Sequence, residues 1–386
     1  MRIKPTLIAA AAISLLSTGA YAVDWGGYVR VGPGQKQNSG TEKKCFDGGA
    51  DGGHGGIGRL GNECNTYGEF ALSQGGEAGG VKYKTLLMAN FFNEGSDPGG
   101  NETKVNQIYV EGQGFDIAPN LTFWVGRRFY HRADVHFDDT FIVDMSGSGA
   151  GVDGIDMGVG SLSAAVFRTG DESGDNPGTR LNLDLEGINT NPGGKLRLTG
   201  VYTNFSGPGG EDGFGISLQH NQANLFAGGD NTFWAQYATG SAYLNMGFGG
   251  GTDDNDKKRW RLTDAMTWVK GPLTGQAMVS FGEEKTGDVK RKYNQIAGRV
   301  AYAMTKNFKL QAELGTAAQK PTDGAQTQRV TKFTIAPTLT VGPNYYDRPE
   351  LRFYVSTFKF NDAYQAAQGQ TKSNKTAAGF QAEIWF

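Results

Sequence analysis

The sequence predicts an all-β fold, an 18-stranded antiparallel barrel that crosses a membrane with its strands. Three observations predict it. The chain has 386 residues with 60 Gly, 23 Phe and 15 Tyr, and its mean hydropathy is only −0.44. Apolar and polar residues alternate in short segments from one end to the other, as in a barrel that is apolar outside and polar inside. The connections between segments mostly alternate long and short, so one rim carries loops and the other turns.

The first residues read as an address. Arg2 and Lys4 precede a short apolar run from Leu7 to Leu16, and Ala20-Tyr21-Ala22 is a small-x-small cleavage site. This is the pattern of a secretory signal peptide over 1–22, cut after Ala22, with 23–386 as a single barrel domain. The apolar run is far short of the roughly 20 residues that span a bilayer as a helix. Lys and Arg number 37 against 39 Asp and Glu, a balance with no footprint for nucleic acid.

Eighteen segments carry the strand pattern: 23–32, 65–73, 81–91, 104–112, 121–128, 154–160, 161–168, 179–188, 195–205, 213–221, 231–239, 258–268, 273–283, 293–303, 308–316, 329–340, 351–358 and 376–386. Most approach the roughly 9–11 residues that a tilted spanning strand requires. The connections 33–64, 92–103 and 129–153 are long, whereas 74–80 and 113–120 are short. Later, 240–257 is long and 269–272 short, 317–328 long and 341–350 shorter, and 359–375 long again. Asn191-Pro-Gly-Gly194 is a turn of the short kind.

Parity along each strand assigns its faces. In the last strand Phe386, Ile384, Ala382, Phe380 and Ala378 share one side, and Trp385, Glu383 and Gln381 the other. A lipid-facing side that ends in an aromatic residue suits outer-membrane insertion, so Trp385 faces the lumen. In the first strand Trp25, Val29 and Val31 face lipid, while Tyr28 and Arg30 face inward. In the second, Phe70 and Leu72 face out, and Tyr67 and Glu69 face in. A ring in a water-filled lumen has no packing partner, so inward rings imply a ligand that stacks.

The stretch from Trp124 to Gly151 begins as a strand and becomes a loop. It carries Arg127, Arg128, Arg132, Asp134, Asp138, Asp139 and Asp144, mixed with Phe129, Tyr130, Phe137 and Phe141. Both signs of charge beside many rings suit a cavity for a sugar, which presents hydroxyls at its edge and C–H groups on its face. A solvated surface loop with internal ion pairs would have the same composition. The adjacent carboxylates Asp138-Asp139 and Glu283-Glu284 do not make a glycosidase pair, because adjacent strand residues point opposite ways. Gly147-Ser-Gly-Ala-Gly151 lacks the lysine of a phosphate-binding loop. The chain therefore reads as a non-enzyme that calls for no cofactor. Cys45 and Cys64 lie in the first long loop, and an exported chain pairs such cysteines. That bridge is worth roughly 3 kcal/mol. Two cysteines without histidines at ligand spacing call for no metal.

At Arg59-Leu-Gly-Asn-Glu-Cys64-Asn-Thr-Tyr67-Gly-Glu69, Gly126-Arg-Arg-Phe-Tyr-His-Arg132-Ala-Asp134-Val-His136, Arg348-Pro349 and the closing Glu383-Ile-Trp-Phe386, the chain resembles the maltoporin family. Weaker likenesses lie at 146–151, 188–194 and 236–239, so the resemblance runs the length of the mature chain. It implies a homotrimer of 18-stranded barrels in the bacterial outer membrane. It implies a third loop folded into the pore, a disulfide in the first loop, and diffusion of sugars such as maltose and maltodextrins along an aromatic slide beside a polar track. By motif, Tyr28, Tyr67, Tyr346 and Trp385 resemble slide residues, and Phe141 resembles a constriction tyrosine. Arg30, Arg59, Glu69, Arg132, Asp134 and Asp139 resemble the track. Tyr346 and Trp385 would line the periplasmic exit. The loop-two slide residue falls nearest Phe91 or Phe92, a mid-slide phenylalanine near Phe226 or Asp230, and a basic track position at Asn106. A general, weakly selective porin for small polar or anionic solutes is the other reading.

Overall fold

A computed structural model describes residues 23–37, 40–42, 57–93, 102–169, 177–207, 209–249, 256–321 and 324–386. The proposed signal peptide and Cys45 lie outside the described residues. Eighteen strands form the wall: β1 Asp24–Val31, β2 Thr66–Ala78, β3 Val81–Asn93, β4 Glu102–Gln113, β5 Thr122–Arg128, β6 Gly147–Asp156, β7 Ser161–Thr169, β8 Gly178–Asn189 and β9 Gly194–Phe205, followed by β10 Asp212–Phe226, β11 Gly229–Gly240, β12 Lys258–Lys270, β13 Leu273–Thr286, β14 Val289–Thr305, β15 Phe308–Pro321, β16 Gln328–Thr340, β17 Glu350–Phe360 and β18 Asn374–Trp385. Each pairs antiparallel with its neighbours in sequence, and β1 closes the barrel against β18 with Tyr28 opposite Trp385. Closure leaves the wall without a free edge. No helix among the described residues is long and apolar enough to cross a membrane. The one labelled here, α1 (Asp362–Gln368), is a short surface turn capped by Asn361.

The outward rows are apolar, as parity predicts. Trp25, Phe70, Val125, Phe214, Leu314 and Phe380 are all exposed on the outer wall. Phe386 ends the chain against Trp25, with ring centroids 4.8 Å apart.

Three departures have local causes. The sixth strand starts at Gly147, not at 154, so the glycine-rich stretch belongs to the wall. A Cβ on Gly151 would lie 2.7 Å from the Trp124 indole, and one on Gly149 only 2.0 Å from the Val166 carbonyl. Glycine is there because neighbouring rings and backbone occupy the side-chain space. Second, the long–short alternation breaks between β13 and β16. β13 and β14 are joined by 287–288 alone, and β15 runs on to Pro321, so the loop 322–327 is shorter than the turn 341–349 on the other rim. Third, a bulge opposite Met88 and Ala89 slips the parity of β4. Both Asn106 and Gln107 then face the lumen: Asn106 Nδ2 donates to Glu69 Oε1 (3.0 Å), and Gln107 Oε1 accepts from Phe129 N (2.9 Å).

The lumen holds most of the buried apolar core. Segments 57–65, 129–146 and 241–249 turn inward from the loop rim and pack against the inner wall. The third loop carries a small hairpin, Ala133–Val135 against Thr140–Val143. Its Val135, Phe137, Ile142, Val143 and Met145 are fully buried among Trp234, Ala265, Met278, Ala297, Leu244 and Met246. The expectation that lumen rings lack packing partners is therefore corrected: Trp124, Trp234, Tyr354 and Phe358 point inward and are buried under these loops.

Inward basic and amide side chains hold the loop backbone. Arg197 donates to His131 O (2.8 Å), Arg180 to Met145 O (2.6 Å), Arg299 to Phe137 O (3.2 Å) and Gln236 to Ile142 O (2.9 Å). The first loop docks the same way. Leu60 N donates to Glu313 Oε1 (2.9 Å), and Lys332 Nζ donates to Gly58 O (2.6 Å) and Leu60 O (2.9 Å). The two loops join where Arg59 N donates to Phe137 O (2.9 Å) and Gly58 N to Asp138 Oδ1 (2.7 Å). Backbone groups carried into a barrel must find such partners, or their burial costs more than the packing returns.

Candidate functional site

A cavity of about 470 Å³ remains between β1, β2, β3, β18 and the two joined loops. Tyr28, Arg30, Arg59, Tyr67, Glu69, Arg132, Asp134, Asp139, Phe141 and Trp385 all line it, together with Phe92 and His136. Of the residues assigned by motif to the slide, the constriction or the track, Tyr346 alone is outside this lining. It adjoins it through His136, whose ring lies 5.6 Å from Tyr346 and 5.5 Å from Trp385.

Strand register sets the order of the rings. Tyr67 sits opposite Phe92 and Arg30, and Tyr28 opposite Trp385 and Glu69. The centroid of Tyr67 is 6.4 Å from Phe92 and 6.1 Å from Tyr28. A line of rings thus descends from Phe92 near the loop rim, through Tyr67 and Tyr28, to Trp385 near the turn rim. Phe91 points outward and stacks on Phe70 (5.8 Å), so of the two adjacent phenylalanines it is Phe92 that enters the cavity. Phe226 and Asp230 lie at the β10–β11 turn and take no part in the cavity lining.

The polar side divides into held and available groups. Arg59 is buried; it donates to Tyr28 Oη (2.5 Å) and pairs with Glu63 (2.9 Å) and Glu383 (3.1 Å). Arg30 pairs with Glu63 and donates to Asn65 (3.1 Å). Tyr28 donates to Glu383 (2.9 Å), and Tyr67 to Glu69 (2.5 Å). These contacts orient the phenols and leave the ring faces toward the cavity. Arg132 is more available. It is 27% exposed, its nearest carboxylate oxygen is on Asp144 at 3.6 Å, and its guanidinium stacks between Phe129 and Phe141 at 4.1 and 3.9 Å.

Asp134 and Asp139 open onto the lumen but are set deep among protein groups. Burial raises both above the usual carboxylate range, Asp139 to about 6, with Arg59 opposing. Asp139 reaches the cavity from a left-handed backbone position, φ 58°. A non-glycine residue held there stores strain, a feature that clusters at ligand sites. Burial pushes His136 down to about 3, so its ring is neutral between Tyr346 and Trp385. Burial would also lower His131, but hydrogen bonds to Asp153 and Asp184 outweigh it and raise it to about 9.

His131, Asp184 and Glu186 place ligand-type atoms within 4.8 Å of one another. Asp184 is held by Arg197 at 2.8 Å and by His131 Nδ1 at 2.5 Å, so these contacts anchor the third loop to the wall. The adjacent carboxylates are divided too. Asp138 accepts from Gly58 N, while Glu284 faces inward on Arg259 (3.2 Å) and Glu283 outward toward Lys292 (3.9 Å).

His136 was the residue least readable in advance. It follows Arg132 and Asp134 in one short run, but nothing local shows that its ring stands between Tyr346 of the 341–349 turn and Trp385 at the end of β18. The inward arginines Arg197, Arg261 and Arg299 were also missed. Their alternation with outward apolar residues was visible in the strands, but their carbonyl partners come from the folded-in loop.

Comparison with known proteins places this architecture. The LamB porin family model matches residues 23–386. A maltoporin from Hahella chejuensis is 31% identical over 411 aligned residues, covering 98% of this chain and 96% of that protein. Among solved structures, an anion-selective porin from Comamonas acidovorans has a TM-score of 0.53 at 12% identity, covering 94% of this chain and 99% of that one. OccD3 of Pseudomonas aeruginosa has 0.52 at 10% identity, covering 96% and 92%. At these identities the two structures speak to the barrel fold alone.

Proposed function

The chain belongs to the LamB porin family, and on that premise we propose that it passes linear maltodextrins across the bacterial outer membrane by diffusion along its lumen. Membership makes it an outer-membrane β-barrel channel rather than an enzyme. The finer reading rests on one observation: the rings Phe92, Tyr67, Tyr28 and Trp385 face Arg132, Asp134 and Asp139 across one cavity. A glucose unit has the matching two-sided chemistry. Its C–H face packs on an aromatic ring, and its equatorial hydroxyls exchange hydrogen bonds with charged groups.

Transport asks for moderate binding. A single charge-assisted hydrogen bond is worth about 1.5–3 kcal/mol, so a site that formed many at once would trap the sugar. Rings about 6 Å apart offer successive, similar stacking positions, which keeps the landscape shallow enough for release. Most carboxylates behind the cavity are already committed to Arg30, Arg59, Arg348 and Arg352, which limits the groups left to grip hydroxyls.

The test is sugar block of ion current through the purified protein in a planar bilayer, using glucose oligomers of increasing length. Block should tighten with length as more units stack at once. Absence of block by any sugar, or block independent of length, would favour the general porin for small polar or anionic solutes.

A further inference from the structure

From β12 to β17 the outer wall carries a continuous basic belt above its apolar rows. Lys258, Lys285 and Lys290 sit directly opposite one another across β12, β13 and β14. Lys292 of β14 sits opposite Lys320 of β15. Arg329 of β16 lies opposite Ala318, and Lys359 of β17 opposite Thr331. From β15 to β17 the basic position thus drops two residues per strand, the stagger that tilted strands require for side chains at one height around a barrel. All seven share strand parity with exposed apolar residues further down the same strands: Trp260, Phe281, Ile296, Leu314, Phe333 and Phe353. The belt therefore faces outward, at the rim that carries the loops, which in an outer-membrane barrel is the extracellular one.

Like charges placed opposite one another across strands are destabilising unless something compensates them. Glu283 lies among them, 4.0 Å from Lys290 and 3.9 Å from Lys292. Lys258, Lys285, Lys320, Arg329 and Lys359 have no carboxylate partner among the described residues. On the far wall the outward Arg127 of β5 and Arg168 of β7 stand opposite Ser148, not opposite another basic residue. At the same rim of β9 and β10, Asp212 accepts from Tyr202 (2.8 Å) and Asn204 (2.6 Å).

We propose that this belt holds the phosphate-bearing lipid headgroups of the outer leaflet, with the acyl chains lying on the apolar rows beneath. A phosphate cluster would compensate these like charges, and the spacing of the lysines along neighbouring strands suits several phosphates rather than one buried anion. The apolar continuation marks the occupant as a lipid: a soluble phosphate would gain nothing from Trp260, Phe281 or Phe353. The belt is outside the barrel and does not depend on which solute crosses the lumen.

The experiment is a titration of fluorescent bisphosphorylated lipid A into the full-length protein in neutral detergent, followed by anisotropy. Its arms are dephosphorylated lipid A and competition by inorganic phosphate. Wild-type protein should bind the bisphosphorylated lipid, should bind the dephosphorylated lipid at least roughly tenfold more weakly, and should lose affinity as salt is raised. Millimolar inorganic phosphate should compete poorly. The variant Lys258→Gln, Lys285→Gln, Lys320→Gln, Arg329→Gln should lose at least about tenfold, each basic residue near an anionic lipid being worth several-fold. Arg127→Gln with Arg168→Gln, on other strands, should not. Channel conductance in a bilayer checks that the belt variant is folded. Equal binding of the two lipids by wild-type protein, salt-independent binding, full competition by inorganic phosphate, or equal loss in both variants would overturn the proposal. The wild-type arms decide it even if the belt variant fails to assemble.

Discussion

Replacing Arg132 with alanine should separate charge from ring in the cavity. Its side chain is 27% exposed and its nearest carboxylate oxygen is 3.6 Å away, so it is the lining arginine with donors most free for a ligand. Losing one charge-assisted hydrogen bond in a wet site should cost about 1–2 kcal/mol of sugar affinity, at the low end of the range for such bonds. That is roughly a five- to thirtyfold weaker block. The lining holds Arg30, Arg59 and Arg132 against Glu69, Asp134 and Asp139, so the substitution tips the balance toward negative charge and selectivity should move toward cations. Asp134 should feel the loss more than Asp139, because Arg132 acts on Asp134 whereas Arg59 and Arg30 act on Asp139. Trp385→Ala is the counterpart. It removes a stacking face and should lower sugar affinity while leaving ion selectivity nearly unchanged. Reversal potentials across a salt gradient and sugar-block titrations read the two quantities separately. If Arg132→Ala moved neither, the third loop would not govern passage, and the reasoning from its placement would be refuted.

Acidification should make the channel more anion-selective, with a midpoint near pH 6. Burial holds Asp139 at about 6, so it gains a proton as pH falls through that value and the lumen loses a negative charge, while His131 at about 9 and His136 at about 3 do not titrate there. Asp134 is raised too, and the variant Asp139→Asn apportions the effect: a full-sized shift persisting in it would exclude Asp139 as the cause. Assembly should be trimeric and resistant to SDS without heating, since closed barrels have no frayed edge to start unfolding; a stable monomer by light scattering in detergent would contradict this. Cys64 is fully buried in the first loop, and the mature protein should contain a Cys45–Cys64 bridge; mass spectrometry finding two free thiols in the non-reduced protein would contradict it.

Strand number and the inward or outward assignment of β1, β2 and β18 could be read from the sequence, because both depend on a period of two residues within one segment. Tyr28, Arg30, Tyr67, Glu69 and Trp385 were placed in the lumen by that local rule, and they line the cavity. The rule failed where its premise failed. At β4 one extra residue in a bulge turned both Asn106 and Gln107 inward. At β6 glycines carry no side-chain pattern to read, and only the rings of Trp124 and Phe167 show why the chain is extended there. The filling of the lumen was also beyond sequence. Leu60 N meets Glu313 across 253 residues, and Phe137 O meets Arg299 across 162. No local preference encodes such pairs. They exist because a polar loop carried into a closed wall must satisfy its backbone there, and only tertiary structure decides which inward arginine becomes a clamp and which, like Arg132, stays free to meet a ligand.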